Sequence, residues 1–191
     1  MAKNWQQLVA TVPTRAYQRQ AKTKSRLLAR YVPHDAFRQS KRPTYLFASG
    51  NLNRCNPSGV ACIYFGEGPE TAKAEFDSYY RRPLTELGYY ARTRLKAILD
   101  LTEHSTRAHF GLKPDDFTRS YAPRSGLLIP LQEIGLALTF QSRISAIRFP
   151  SNAMHQTGKI GTNLVIFQDL LGGSDQLKII EGNRVLERWP K

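Results

Sequence analysis

Residues 51–76 read NLNRCNPSGVACIYFGEGPETAKAEF and contain a polar loop, a short apolar run and a helix-like segment in succession. The loop carries Arg54, the apolar run carries Tyr64 and the last segment carries Glu75. Asn, Pro and Gly dominate the loop and are typical of turns, whereas the run VACIYF is typical of a strand. Only three residues separate that run from the next segment, so we expect Tyr64 and Glu75 to lie close together in space.

The segment that follows the apolar run is predicted to be a helix. Pro69 follows Gly68, and proline suits the first helical position, where its missing N–H is not needed. From Glu70 to about Arg82 the apolar residues recur at a spacing typical of one helical face, and Glu75 lies at the edge of that face. In the preceding strand, period-two alternation predicts one face with Val60, Cys62 and Tyr64 and another with Ala61, Ile63 and Phe65.

Apolar patterns and turn residues predict the elements on either side of this stretch. Strands separated by helices, with several strands late in the chain, are typical of an α+β domain built on a mixed sheet. The region 85–99 fits either a strand or a helix, and 104–125 is predicted to contain loops and a short helix. Helices are predicted at 4–12 and 18–31, and strands at 44–48, 60–65, 127–131, 144–149, 163–167, 177–180 and 184–189.

Length and composition favour a single folded domain, or one domain with an arm. The chain has 191 residues, of which 41% are hydrophobic and 23% are charged, and both values are close to globular averages. No apolar run approaches the roughly 20 residues that span a bilayer, and the N-terminus lacks the features of a signal peptide. We therefore expect a soluble cytoplasmic protein with no membrane association.

Cysteine and histidine form no metal-binding pattern in this sequence. The two cysteines, Cys55 and Cys62, make neither a disulfide framework nor a recognisable zinc set. The four histidines are scattered along the chain without the spacing of metal ligands. We therefore expect no metal site.

Positive charge is concentrated near the N-terminus. The formal net charge is +13, and residues 1–42 contain ten Lys and Arg against one acid, Asp35. This distribution predicts a basic, largely helical segment over 1–42, which packs on or extends a main domain over 43–191. Such a segment attracts nucleic acid, an acidic protein or a phosphate-bearing ligand, although a solvated basic helix has the same composition.

Arg54, Tyr64 and Glu75 together have the chemistry needed to hold a dinucleotide. A guanidinium group matches the oxygens of a phosphate, and a tyrosine ring stacks on a flat heteroaromatic ring. A carboxylate beside a ribose accepts hydrogen bonds from its hydroxyls and stabilises positive charge at the anomeric carbon. The alternative assigns the three residues to a surface ion pair, strand packing and a helix flank. Residue types alone leave both interpretations open.

The ordered residues of this stretch resemble the signature of the RES domain family, which is named for recurring Arg, Glu and Ser residues. The family pattern is an Arg, then Asn-Pro-x-Gly, then an apolar run ending in Tyr, and then a helix with Thr-Ala-x-x-Glu. Here the same residue types occur in the same order, with spacings of 10 residues from Arg54 to Tyr64 and 11 residues from Tyr64 to Glu75.

A second block extends the resemblance, which covers roughly residues 44–170. Ile147–Ser151 and Gly161–Phe167 are similar to the family's late Pro-Ser strand and the Asn-Leu-apolar run that follows it. Near the N-terminus, Arg15 resembles an early family arginine. One departure is Cys55, which stands where an aromatic residue is common in the family.

The resemblance implies a fold like that of the ADP-ribosyltransferase toxins, with a split mixed β-core and flanking helices, and makes 43–191 an NAD-binding catalytic domain. It also implies an enzyme that breaks the nicotinamide–ribose bond of NAD and transfers ADP-ribose to phosphate or water, as the NAD-depleting toxin of a toxin–antitoxin system. Arg54 would hold the pyrophosphate, Tyr64 would shape the nicotinamide pocket, and Glu75 would orient the ribose and stabilise its transition state. Three further residues would help to bind NAD: Ser151, Asn163 and Arg15.

The implied partners are NAD, an Xre-type antitoxin that covers the active-site cleft, and inorganic phosphate as a candidate acceptor. NAD is the substrate, no cofactor is implied, and nucleic acid would be contacted only through the antitoxin. A protein mono-ADP-ribosyltransferase with the same site is one alternative, because both reactions break the same bond. The other is a basic nucleic-acid-binding module, whose binding would fall steeply with salt. No RRM, KH, zinc-finger or cold-shock signature accompanies it.

Overall fold

The computed structural model describes residues 3–19, 27–35, 45, 48–80, 84–119, 121, 126–141 and 143–189. The helices in this part of the chain are α1 (Trp5–Thr11), α2 (Pro69–Tyr80), α3 (His104–Phe110), α4 (Asp115–Thr118), α5 (Pro130–Thr139) and α6 (Asn152–Gln156). The strands are β1 (Arg15–Arg19), β2 (Leu28–Pro33), β3 (Ile63–Glu67), β4 (Glu86–Asp100), β5 (Ala146–Pro150), β6 (Thr162–Ile166), β7 (Gln176–Glu181) and β8 (Arg184–Trp189).

The 15-residue strand β4 organises the sheet. β1 and β2 pair with one edge of β4, one after the other, while β5 and β7 pair with its other edge. β2 also pairs with β3, and pairing continues through β6 and β5 back to β4, so that these strands form a closed ring. β8 extends the sheet from β7. The β4–β5 pair is parallel and the others are antiparallel, which confirms the predicted α+β class with a mixed sheet.

Two hydrophobic cores lie on the two faces of the strands. The first is formed between the strands and helices that include α1, α3 and α5, and it contains Cys62, Phe149 and Val165. The second lies among the strands and contains Ile63 and Phe65. Since neighbouring residues of β3 enter different cores, the alternation predicted for this strand is confirmed.

The helix predicted over 18–31 is wrong. β1 ends at Arg19 and β2 begins at Leu28, and both strands pair with β4, Arg19 opposite Thr93 and Leu28 opposite Ala91. The described part of the basic N-terminal segment is therefore not largely helical, and it contributes two strands to the same sheet as the rest of the chain. Composition sets only a weak local preference, which pairing with a strand distant in sequence overrides.

The strand predicted over 127–131 is also wrong, because α5 begins at Pro130 and the residues before it have no regular structure. Proline favours the first helical position, and a short apolar run does not by itself distinguish strand from helix. The region 85–99, left open between the two, is β4. The strand predicted over 44–48 falls mostly outside the described residues. The helices predicted at 4–12, after Pro69 and within 104–125 are confirmed, as are the strands predicted at 60–65, 144–149, 163–167, 177–180 and 184–189.

Candidate active site

Glu75 lies in the middle of α2 and is hydrogen-bonded to two other residues singled out in the sequence. Its Oε1 accepts a hydrogen bond from the Ser151 hydroxyl at 2.6 Å and another from the Asn163 side-chain amide at 2.7 Å. No described residue donates a hydrogen bond to the other carboxylate oxygen, Oε2. We call Glu75, Ser151 and Asn163 the carboxylate cluster. Among the described residues, the hydrogen bonds to this carboxylate thus all go to one of its two oxygens.

Ser151 is positioned by its place between β5 and α6. Its Oγ accepts the backbone N–H of Met154 at 3.2 Å, which caps the first turn of α6. Its own backbone N–H donates to the carbonyl of Gly161 at 2.9 Å and so holds the end of β5 beside the start of β6. A serine hydroxyl has a single hydrogen, and Ser151 donates it to Glu75.

Asn163 meets Glu75 because the backbones of β3 and α2 approach closely at Gly66. In the sheet, Gly66 lies opposite Asn163. A Cβ atom on Gly66 would lie 2.4 Å from the backbone nitrogen of Ala72, so glycine is what allows the first turn of α2 to pack directly on β3. The next turn of α2 then places Glu75 at the Asn163 amide.

Tyr64 lies on the same face of the sheet as Asn163. The register pairs Tyr64 with Val165 and Gly66 with Asn163, and residues two apart in a strand point to the same side. The Tyr64 ring packs edge-on against Phe149, with 6.4 Å between the ring centroids. The aromatic side chain thus lies on the same face as Asn163, the face that carries the first core.

The Tyr64 hydroxyl is bonded to the loop that carries Arg54. It donates a hydrogen bond to Asn56 Oδ1 at 2.8 Å and accepts one from the backbone N–H of Cys55 at 2.9 Å. Burial raises the pKa of this hydroxyl well above its ordinary value, so it stays protonated at neutral pH. Tyr64 therefore links Arg54 to the strand that lies beside the carboxylate cluster.

The Arg54 side chain rests on the segment that precedes α5. Its Nη1 donates to the carbonyl of Arg119 at 3.0 Å, and its guanidinium carbon lies 5.7 Å from the centroid of the Tyr121 ring. This second contact has the geometry of a cation–π interaction. No described carboxylate pairs with Arg54, so its positive charge is available to an anionic ligand.

A comparison with protein-family models identifies the family of this chain. The model of the RES domain matches residues 14–180. The chain belongs to the RES domain family. The matched range includes β1 and β2, so the strands in the basic N-terminal segment are part of this RES domain.

The fold of this RES domain is also found in a solved structure. It is similar to a chain in the crystal structure of the M. tuberculosis MbcT–MbcA toxin–antitoxin complex, with a TM-score of 0.65. The alignment covers 94% of this chain and 91% of that chain at 16% sequence identity, so the similarity is one of fold. A comparison with curated proteins gives no match.

Arg15 lies at the end of β4 in this RES domain. Its guanidinium pairs with the carboxylate of Asp100 and lies 3.6 Å from that of Glu103. Among the described residues, Arg15 has no hydrogen bond or ion pair with the carboxylate cluster. The structure thus bonds three of the six predicted site residues to one another, and Tyr64 lies on the same face of the sheet as Asn163. The loop that carries Arg54 is bonded to the Tyr64 hydroxyl, and Arg15 lies elsewhere.

The RES domain also contains a buried ion network that the sequence patterns did not reveal. Arg148 donates two hydrogen bonds to Glu67, at 2.8 and 2.9 Å, and two to Asp100, at 3.1 and 3.4 Å. Arg19 and the Tyr17 hydroxyl also donate to Glu67, at 2.7 and 2.6 Å. Alternation along β3 and β5 places this network on the face opposite the carboxylate cluster. The signal available in the sequence was an arginine inside the apolar run ISAIRF.

Electrostatics keep the network ionised. Burial alone would raise the pKa of Glu67, but hydrogen bonds from Arg148 and Tyr17, with the charges of Arg148 and Arg19, lower it below its ordinary value. The hydrogen bonds to Glu67 are the largest cause that raises the pKa of Arg148. The network is therefore a set of paired ions that connects strands of the sheet, rather than a source of protons for chemistry.

The described residues contain no group of three His, Cys, Asp or Glu side chains that could hold a metal ion. Cys55 and Cys62 are buried free thiols, and burial raises the pKa of Cys62 to about 12. A neutral thiol is a poor nucleophile, so neither cysteine suits covalent chemistry at neutral pH. None of the described helices has the length and apolar character required to span a bilayer.

Proposed function

We propose that this RES domain breaks the nicotinamide–ribose bond of NAD and transfers ADP-ribose to phosphate or water. The observation that carries the proposal is the carboxylate cluster. Ser151 and Asn163 fix one oxygen of Glu75, and no described residue bonds the other. A carboxylate held in this way suits a ribose, because Oε2 accepts a ribose hydroxyl while its charge faces the anomeric carbon.

The proposed reaction uses Glu75 to stabilise developing charge. The bond between the ribose anomeric carbon and the nicotinamide nitrogen breaks, and its electron pair leaves with nicotinamide, which departs as a neutral molecule. No general acid is therefore required, and positive charge develops on the ribose next to Glu75. An oxygen of phosphate or water then forms the new bond to the anomeric carbon, and a proton of water is lost to solvent when water is the acceptor.

The remaining residues bind the dinucleotide in this proposal. Arg54, whose charge no described carboxylate compensates, holds the pyrophosphate through its planar guanidinium. Tyr64 forms a wall of the nicotinamide pocket with its ring, since its hydroxyl is already bonded to Asn56 and Cys55. Ser151 and Asn163 line the site through their bonds to Glu75.

We also propose that the chain acts as a toxin and that its partner is an antitoxin protein of the Xre type. The support is the fold, which is shared with a chain of a toxin–antitoxin complex. Since the chain carries a formal charge of +13, an acidic surface on the antitoxin would complement it. Nucleic acid would then be contacted through the antitoxin.

Chromatography of nicotinamide released from NAD tests the reaction directly. Purified protein is incubated with NAD in phosphate buffer and in a phosphate-free buffer, and mass spectrometry identifies the sugar product. We expect nicotinamide together with ADP-ribose in water, or with its phosphorylated form when phosphate is the acceptor. Folded protein that releases no nicotinamide in either buffer contradicts the proposal. If NAD labelled in its ADP-ribose part is used and the label becomes attached to a protein, the result would instead support a protein ADP-ribosyltransferase.

A further inference from the structure

Gln132, near the start of α5, is a fully buried amide with 0% exposure. Its Nε2 donates hydrogen bonds to two backbone carbonyls, that of Asn53 at 2.8 Å and that of Tyr121 at 2.7 Å. Its Oε1 accepts the backbone N–H of Ile129 at 3.1 Å. Because two acceptors face the nitrogen and a donor faces the oxygen, the surroundings determine the orientation of the amide.

The two carbonyls bonded by Gln132 belong to the two segments that hold Arg54. Asn53 immediately precedes Arg54, and its Oδ1 accepts the Arg54 backbone N–H at 2.8 Å. Tyr121 supplies the ring under the Arg54 guanidinium, and the neighbouring Arg119 carbonyl accepts from Nη1. One buried side chain therefore ties the backbone that carries Arg54 to the backbone on which its guanidinium rests.

One turn further along α5, Gly135 makes a second contact with the same loop. A Cβ atom at this position would lie 1.8 Å from the carbonyl oxygen of Cys55, so the helix and the loop touch through their backbones. Gln132 and Gly135 are three residues apart and lie on one side of the helix. α5 thus provides a platform for residues on both sides of Arg54.

The loop is also held from the strand side. Cys55 donates its backbone N–H to the Tyr64 hydroxyl, which donates to Asn56 Oδ1. The Asn56 amide donates in turn to the carbonyls of Asn51 at 2.8 Å and Val60 at 3.0 Å. Backbone groups before and after Arg54 are therefore bonded to buried side chains, and the half-exposed guanidinium extends from a loop with little freedom.

We infer that Gln132 is a positioning residue that aims Arg54 at the pyrophosphate of a dinucleotide. The inference rests on the proposed function, because it takes the Arg54 ligand to be the diphosphate of NAD. Gln132 does not touch the ligand, and its effect on binding passes through Arg54. A site held in place before the ligand arrives loses less conformational entropy on binding, and this raises affinity.

A double-mutant cycle tests the inference with ADP-ribose as the probe and titration calorimetry as the measurement. Gln132→Met keeps the length of the side chain and removes both donors. We expect it to weaken ADP-ribose binding about tenfold when Arg54 is present, and less than twofold in an Arg54→Ala background, because the cycle isolates coupled effects. Gln141→Met is the matched control, since Gln141 also donates to a backbone carbonyl, that of Gln6, and should leave binding unchanged.

Circular dichroism establishes whether each variant is folded. If Gln132→Met does not fold, Gln132→Glu replaces it, because it keeps the shape of the side chain and the acceptor for the Ile129 N–H while it removes the amide donor group, and the same coupling to Arg54→Ala is expected. Equal losses in both Arg54 backgrounds would make the amide a general structural element and overturn the inference, as would no loss in either.

The outcomes also separate the inference from the proposed function. Nicotinamide release by the wild-type chain, together with an additive cycle, rejects the role of Gln132 and retains the reaction. A coupled cycle without nicotinamide release retains the positioning role and rejects the reaction. Wild-type protein that binds no ADP-ribose rejects the positioning role, and nicotinamide release then decides the reaction independently.

Discussion

Glu75 is a half-buried carboxylate whose orientation is fixed by two neighbouring side chains. Hydrogen bonds from Ser151 and Asn163 to Oε1 fix the plane of the carboxylate. Because both donors bond Oε1, they orient the carboxylate without forming a hydrogen bond to Oε2. A charge placed in this way can stabilise a cationic transition state without reorganisation at the moment of reaction.

Replacement of Glu75 by glutamine isolates that charge. In Glu75→Gln the amide oxygen still accepts hydrogen bonds from Ser151 and Asn163, so the fold should be retained. We expect nicotinamide release to fall about 10²- to 10³-fold, the range seen when one electrostatic contact to a transition state is removed. Glu70→Gln, on the same helix and paired with the exposed Lys159, is the control and should keep near wild-type activity. Turnover by Glu75→Gln close to that of the wild type would contradict the assigned role.

The Ser151 hydroxyl both caps α6 and donates to Glu75, so its loss should affect both stability and activity. We expect Ser151→Ala to lower the free energy of unfolding by about 1 kcal/mol through loss of the cap, and to lower nicotinamide release. Ser145→Ala is a sharp control, because the buried Ser145 hydroxyl has no hydrogen-bond partner in the described structure. Urea denaturation measures stability, and a Ser151→Ala variant as stable and active as Ser145→Ala would reject the double role.

At the scale of elements, the approach of α2 to β3 determines where the carboxylate stands. Gly66 permits this contact, and the Asn163 amide on the neighbouring strand β6 donates a hydrogen bond to Glu75 on the helix. The register of β3 and β6 then places Tyr64 on the same face. Two short strands and one helix therefore bring together residues from distant parts of the chain.

A methyl group at Gly66 should separate α2 from β3. The added Cβ of Gly66→Ala would meet the backbone of Ala72 at 2.4 Å, and a backbone atom cannot rotate away as a side chain does. We expect the free energy of unfolding to fall by about 1–3 kcal/mol and nicotinamide release to fall with it. Gly173→Ala, where no atom lies within 4 Å of the added Cβ, should be neutral by the same urea measurement. Equal stability of the two variants would show that this close contact does not constrain the helix.

At the scale of the whole molecule, the ion network connects strands that are distant in sequence. Arg148 on β5 contacts the end of β3 at Glu67 and the end of β4 at Asp100, and Arg19 joins from β1. Part of the positive charge of the N-terminal segment is therefore paired with carboxylates of the sheet. Arg15 and Arg19 belong to this structural set, so the high net charge alone is weak support for nucleic-acid binding.

Acid should weaken this network through Glu67. Because the folded state lowers the pKa of Glu67, its contribution to stability is fully present above the unfolded value near 4.3. This contribution is lost as the pH falls through the lower, folded value. We expect Glu67→Gln to cost about 3–5 kcal/mol at pH 7, where Arg148 loses its charged partner, and less below about pH 4.

Urea denaturation of wild type and Glu67→Gln at a series of pH values measures that difference. Glu181→Gln, which replaces an exposed carboxylate at the end of β7, is the control and should differ little from wild type at every pH. A cost of Glu67→Gln that stays constant down to pH 3 would contradict the assignment.

Much of this fold follows from local patterns. The Gly68–Pro69 helix start, the alternation of β3 and the late apolar strands are encoded in neighbouring residues, and each was predicted correctly. The prediction failed at 18–31, where both ends are strands because β4, more than sixty residues away, supplies their hydrogen-bond partners. It failed at 127–131 because a short apolar run before proline has no period long enough to distinguish strand from helix.

Some features of the candidate site can likewise be predicted from the sequence, and others appear only in the structure. The order and spacing of the key side chains and the identity of the family can be recognised in the amino-acid sequence, because these are properties of a linear pattern. The key side chains are those of Arg54, Tyr64 and Glu75. The contacts of Glu75 with Ser151 and Asn163 become visible only in three dimensions. The same holds for Gln132, an ordinary helix residue in the sequence, which supports the Arg54 loop in the fold. Hydrogen bonds and packing act over a few ångströms, and only folding brings residues separated by more than seventy positions within that range.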